Sequence, residues 1–145
     1  MIKLKSLFIV TIQFVCILIL ITTTKFYTIA LLPRIIFVLS LALMIWAIYT
    51  MQKSKFRIFP EPSLHAKLIT KGPYQFIRHP MYTSLILGCI GLLIHSFSWM
   101  HFSITVLLIG VLMHKLHWEE SLLSVKFKEY EHYKKTSKCL IPFVF

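Results

Sequence analysis

Residues 6–24 read SLFIVTIQFVCILILITTT, nineteen positions from Ser6 to Thr24 without a formal charge. At 1.5 Å per residue such a run crosses a hydrocarbon core about 30 Å thick. It is read as a first membrane span. Lys3 and Lys5 ahead of it resemble the start of a secretory signal. The apolar run is long, however, and no small-x-small cleavage site follows, so the span is expected to be retained. Working outward, a second span covers about 29–51, with Pro33 and Arg34 near its outer end, where a long Arg stem reaches the interface. A third is expected over 80–97 and a fourth over 99–116, with Trp99 in the interfacial aromatic belt. The expected fold is an all-α integral membrane protein of one domain. It has about four transmembrane helices, a loop over 52–79 and a tail over 117–145.

Composition agrees. The 145 residues are 57% hydrophobic and only 14% charged. Their mean hydropathy of +0.76 exceeds what a soluble core of this size needs. Sixteen Lys and Arg against five acids give a net charge of +11, which in a soluble domain would suggest nucleic acid. Here the basic residues lie between apolar blocks, so topology explains them and no nucleic-acid partner is expected. Six fall between Lys53 and Arg78, six between Lys115 and Lys138, and none between the third and fourth spans. The positive-inside bias therefore places both termini and the central loop in the cytoplasm. With no signal for an internal compartment in the sequence, a bacterial inner membrane is the expected home. All five acids, Glu61, Glu119, Glu120, Glu129 and Glu131, fall on that same side. Cys16, Cys89 and Cys139 show no paired spacing and read as buried or reduced thiols. Ser84, Gly88 and Gly91 would let another helix approach the third span closely.

The chemistry is concentrated in two segments. The first, Lys71-Gly72-Pro73-Tyr74-Gln75-Phe76-Ile77-Arg78-His79-Pro80-Met81-Tyr82, runs straight into the third span. Gly72-Pro73 marks a turn, and Pro80 suits the first helical position, where its missing N–H costs nothing. Arg78 and His79 then sit ahead of the helix beside free backbone N–H groups, a place that favours an anionic group. The competing reading is an interfacial anchor in which Arg78 meets lipid phosphate.

The second segment, His117-Trp118-Glu119-Glu120-Ser121-Leu122-Leu123 followed by Phe127, Tyr130 and Tyr133, starts where the fourth span leaves the membrane. If the helix continues, Glu119 shares a side with Leu122, Leu123 and Lys126, while Glu120 points about 100° away. Adjacent carboxylates at a membrane exit are costly to desolvate unless they bind something. The plainer alternative is a solvated face with one Glu paired to Lys115 or to a base of the loop. His114 and His117 are three apart and able to face such a pocket. Two histidines do not complete a metal site, so no metal is expected. His95 and His101 are expected at the outer interface.

Taken together, Gly72-Pro73-Tyr74, Arg78-His79-Pro80-x-Tyr82, Glu119-Glu120-x-Leu122-Leu123, then Phe127, Tyr130, Tyr133 and Leu140-Ile141-Pro142 resemble the isoprenylcysteine carboxyl methyltransferase family and its bacterial relatives. Phospholipid methyltransferases are similar. The resemblance covers about 57–142 and includes the Pro60-x-Pro62 element. It departs at Phe127-Lys128-Glu129-Tyr130, which lacks the family's Gly and is one residue shorter, and at Ser84, where relatives often carry Gly.

The resemblance implies an integral-membrane methyltransferase that binds S-adenosylmethionine between the loop and an amphipathic C-terminal helix. The acceptor would be a lipophilic or lipidated molecule taken from the bilayer, of the isoprenylcysteine carboxylate type or similar. Carried over by position, Arg78 and Glu120 are the expected catalytic pair. Tyr74, His79, Tyr82, Glu119 and Glu120 are the expected cofactor contacts. Arg78 and His79 are assigned to a carboxylate or phosphate, the two Glu to ribose hydroxyls or the ammonium, and a Tyr ring to adenine or the sulfonium. The rivals are an NADPH-dependent membrane reductase of the sterol type and a non-catalytic membrane protein attracted to anionic lipid.

Overall fold

The computed structural model describes residues 2–26, 30–52 and 67–141. Among the described residues there are five α-helices, α1 (Ile2–Thr23), α2 (Leu31–Met51), α3 (Pro80–His95), α4 (Trp99–Lys126) and α5 (Tyr130–Thr136), with a 3-10 turn at Gly72–Gln75 ahead of α3. Among the described residues there is no strand beyond a single parallel bridge between Ile77 and Lys138. The protein is an all-α membrane protein. Stretches of α1, α2 and α4 (Leu4–Thr23, Leu31–Met51 and Trp99–Lys126) are long and apolar enough to cross a membrane. At 16 residues, α3 is about 24 Å long and falls short of the expected 80–97 span. Its start is fixed by Pro80 at the first position. Its end is fixed because Ser98 begins the next helix, its hydroxyl accepting from the His101 amide at 3.1 Å.

Large apolar side chains such as Phe8, Leu18, Leu39, Ile45 and Leu107 are exposed on the outer faces, the surface that lipid covers. Inside, α2 packs against α3 and α1 against α4, and the α3–α4 pair joins the two halves. The small residues of α3 serve the first contact. A Cβ on Gly88 would come within 3.1 Å of Ser40 Oγ, and one on Gly91 within 3.2 Å of Ile36 Cγ2. Ser40 Oγ donates to the Ser84 carbonyl at 2.7 Å. The close approach expected at Ser84, Gly88 and Gly91 is thus made by α2 of the same chain.

Neighbouring helices run antiparallel. At one end Thr23 and Thr24 of the α1 terminus both meet His101 Nε2, at 3.2 and 3.3 Å, and Ser98 Oγ lies 2.7 Å from His101 Nδ1. His101, expected at the outer interface, lies at this end of the bundle and is buried, three hydroxyls satisfying both of its ring nitrogens. His95 Nε2 lies 2.9 Å from the Lys25 carbonyl at this same end. The opposite end gathers the C-terminal ends of α2 and α4, the start of α3, the 3-10 turn and α5. All three cysteines are free and buried. Pro60, Glu61, Pro62, His65 and Pro142 lie outside the described residues.

Candidate active site

The loop ahead of α3 is shaped by Gly72, whose φ of +62° belongs to the left-handed region. A Cβ there would also stand 2.8 Å from Thr50 Oγ1 and 3.3 Å from Trp46 Nε1. Glycine is needed both for the turn and for the approach to α2. The chain then makes its 3-10 turn, burying Pro73 and Tyr74, and runs extended alongside the tail. The Arg78 amide donates to the Lys138 carbonyl at 2.7 Å and the His79 amide to the Cys139 carbonyl at 3.2 Å, while the Lys138 amide donates to the Phe76 carbonyl at 3.0 Å. The tail's carbonyls thus take the amides of Arg78 and His79 themselves, and of the first-turn N–H groups expected to be free beside them, those of Tyr82 and Thr83 donate to the His79 carbonyl at 3.0 and 3.1 Å. Thr83 Oγ1 donates to the Leu140 carbonyl at 2.8 Å and pins the tail to α3.

Beyond Leu116 the fourth helix does continue. Its 28 residues extend about 42 Å, so its last turns project past the hydrocarbon core. The adjacent carboxylates, turned about 100° apart, reach two different groups of the first turn of α3 and the loop before it. Tyr82 OH donates to Glu119 Oε2 at 2.6 Å. Glu120 Oε1 accepts from Arg78 Nε at 2.7 Å and lies 3.3 Å from His79 Nε2. An ionised carboxylate only accepts, so Nε2 carries the proton in this contact. The His79 and Tyr82 rings stack, with centroids 5.4 Å apart and planes within 5°. Arg78 also reaches the tail through Nη1, to the carbonyls of Ser137 at 2.6 Å and Lys134 at 3.3 Å.

The electrostatics follow from these contacts. Burial alone would raise the Glu120 carboxyl, but hydrogen bonds from His79 and Arg78 and their charges outweigh it and hold the group at about 2. Burial would likewise weaken the Arg78 cation, and the bond and charge of Glu120 reverse that. Tyr74 and Tyr130 are pushed well above the usual phenol value, first by burial and then by nearby carboxylates, Glu119 for Tyr74 and Glu120 for Tyr130. Tyr133 is pushed up to about 12, mainly by burial; its hydroxyl donates to the Tyr74 carbonyl.

All five expected cofactor residues and Arg78 are thus gathered at one end of the bundle. Other placements bear on the sequence reading. The plainer alternative paired one Glu with Lys115 or with a base of the loop: Glu120 does pair with Arg78 of the loop, whereas Lys115 donates from Nζ to Gln13 Oε1 at 3.0 Å. His114 and His117 are exposed and do not join the cluster, and His117 Nδ1 lies 2.7 Å from the Met113 carbonyl. The shortened Phe127–Tyr130 segment still buries Tyr130 and Tyr133, because α4 ends at Lys126 and a two-residue turn opens α5. Cys139, unassigned from sequence, brings its Sγ within 4.8 Å of ligand atoms of His79 and Glu120. That trio has donor atoms for a metal ion, but Arg78 already supplies a positive charge to the same Glu120 oxygen.

The fold and cluster define a helical membrane protein with a polar site at one end, built from loop, helix end and tail. A model of the phospholipid methyltransferase family matches residues 28–130, and the chain belongs to that family of membrane methyltransferases, whose substrates are lipid-like. Curated proteins and solved structures give no match. The family match favours a methyltransferase over a sterol-type reductase. It includes α2, α3, α4 and the loop but leaves out α1 and all but the first residue of α5.

Proposed function

We propose that the chain uses S-adenosylmethionine to methylate a lipophilic acceptor at the cytosolic membrane surface, an isoprenylcysteine-type carboxylate or a similar group. One observation carries the cofactor assignment. The hydroxyls of Tyr74 and Tyr130 are buried and have no hydrogen-bond partner among the described residues, the two residues being only 4% and 1% exposed, beside the Glu119, Glu120 and Arg78 cluster. Buried hydroxyls without partners are costly, and a polar ligand removes that cost. S-adenosylmethionine suits this donor set, since it presents a carboxylate, an ammonium, ribose hydroxyls and an adenine.

Glu119 and Glu120 accept from its hydroxyls or ammonium. Tyr74 and Tyr130 donate to its acceptors, and the stacked His79 and Tyr82 rings offer an aromatic face. Arg78 acts as a positioning residue, keeping Glu120 ionised and the tail closed over the site. When bound, the cofactor supplies a methyl group on a sulfonium, a good leaving group, so catalysis rests on positioning and exclusion of water, together worth about 7–11 kcal/mol in favourable cases. A carboxylate acceptor needs no base. The family's description favours a second reading, a phospholipid amine, which must lose a proton; His79, held by Glu120, is then the candidate base.

Calorimetric titration of the detergent-purified protein with S-adenosylmethionine, and with NADPH in parallel, tests the assignment. Binding of S-adenosylmethionine that Arg78→Ala or Glu120→Ala weakens at least about tenfold, or 1.4 kcal/mol, is the expected result. A folded sample that binds only NADPH would overturn it.

A further inference from the structure

Lys115 has no part in the proposed cofactor site, yet it is among the most deeply buried side chains of the protein, 2% exposed, at the cytosolic end of the apolar part of α4. A lysine near a span end ordinarily extends its ammonium into water. Here Nζ turns instead to Gln13 of α1, 102 positions away and itself 5% exposed, donating to Oε1 at 3.0 Å, and it stands 5.3 Å from the centroid of the Tyr82 ring. The ion pairs among the described residues are Arg78–Glu120, His79–Glu120 and Lys134–Glu131, and Lys115 is in none of them. Glu119, one helical turn further on, is held by the Tyr82 hydroxyl. An ammonium has three donors, and the neutral amide oxygen of Gln13 accepts one. The Glu119 carboxylate attracts the ammonium from beyond ion-pair distance, and the donors that Gln13 leaves free are open to an anion in direct contact.

We infer that Lys115 and Gln13 form a subsite for the anionic oxygens of the acceptor, a lipid carboxylate or phosphodiester. The position supports this. Lys115 lies inward of Glu119 and Glu120 along α4, against α1 and Tyr82, on the side of the site facing the apolar bundle. A lipophilic molecule arriving from the bilayer would bring its polar end there. Gln13 adds an amide NH2 beside the oxygen that Lys115 engages, so the pair offers donors of both kinds to one anionic group. Gln13 sits in α1, outside the residues matched to the family, so this half of the subsite belongs to the part of the chain the family match does not cover. The inference rests on the methyltransferase reading for the word acceptor, but the subsite can be tested without turnover.

The test titrates dodecanoate, dodecyl phosphate and the neutral dodecanol into protein held in a nonionic detergent, with S-adenosylmethionine titrated separately. The variants are Lys115→Met, which keeps an unbranched side chain one atom shorter and without the charge, and Gln13→Glu, which places a carboxylate where Lys115 already donates. The parent is expected to bind one or both anions at least about tenfold tighter than dodecanol. Whichever anion is preferred identifies the carboxylate or the phosphate as the source. Both variants should lose that preference while staying folded, with a cooperative melt, and keeping their affinity for S-adenosylmethionine. A purely structural Lys115 predicts otherwise, because Gln13→Glu would then create an ion pair and leave anion binding unchanged. Equal binding of all three probes by the parent would overturn the subsite. So would a preference that survives both variants, or loss of S-adenosylmethionine binding in Lys115→Met. If the parent binds the anions selectively but not S-adenosylmethionine, the methyltransferase reading fails and the subsite stands.

Discussion

Arg78 and Glu120, 42 positions apart in the chain, meet Nε to Oε1 at 2.7 Å, and this contact ties the loop ahead of α3 to the emerging end of α4. Through Nη1 the same guanidinium holds the carbonyls of Lys134 and Ser137, so one side chain joins three segments. Truncating Glu120 leaves the Arg78 guanidinium part-buried without a carboxylate, and truncating Arg78 leaves Glu120 with His79 alone, both costly arrangements.

The pair has a pH signature. Glu120 titrates at about 2 in the folded protein, against an ordinary value of 4.5. A depressed carboxyl contributes stability that is complete above the ordinary value and is lost as pH falls toward the folded one. The melting temperature in detergent should therefore fall between about pH 4.5 and pH 2. The fall should be shallower in Glu120→Gln, which has nothing to protonate. An equal slope in parent and variant would show that the pair does not set acid stability.

Tyr74→Phe and Tyr130→Phe should separate stability from binding. Each removes a buried hydroxyl that lacks a partner, so the unliganded protein should hold or gain stability, by up to about 1–3 kcal/mol. Affinity for S-adenosylmethionine should fall in both. Thermal melts with and without the cofactor read the two effects together, and a variant that melts lower yet binds as the parent would contradict the account.

Gly72→Ala should cost about 1–2 kcal/mol from the left-handed backbone alone, with a further loss from the contact at Thr50 Oγ1. Adding Thr50→Ala relieves only the second part. A double-mutant cycle on melting temperature should show partial rescue, and full rescue would mean that the backbone conformation carries no strain.

The helices and the α2–α3 contact were legible from the uncharged runs and from Ser84, Gly88 and Gly91, because span length and small residues leave direct marks on sequence. The polar end was legible as a set of residues: Tyr74, Arg78, His79, Tyr82, Glu119 and Glu120 do come together. A Glu paired to a base of the loop was among the readings, and Glu120 with Arg78 is that pair; the backbone contacts around it were not legible. Residues 138 and 139 close the loop through backbone amides and carbonyls, which any residue carries, so no side chain announced that the tail would pair with Arg78 and His79. Lys115 looked like one more basic residue at a span end, since its partner Gln13 lies in an otherwise apolar run a whole chain away. His101 looked interfacial because the hydroxyls that bury it come from α1 and from the cap of α4.

The most direct test of the central claim follows the methyl group itself. Protein in lipid nanodiscs is incubated with methyl-labelled S-adenosylmethionine and a membrane lipid extract, and label is counted in the organic phase before and after alkali. The account predicts organic-phase label that disappears in Glu120→Ala and is released by alkali as volatile methanol, as a methyl ester requires. Label that resists alkali would move the acceptor to an amine. An organic phase no richer in label than a protein-free control, from protein shown to be folded, would contradict the methyltransferase account.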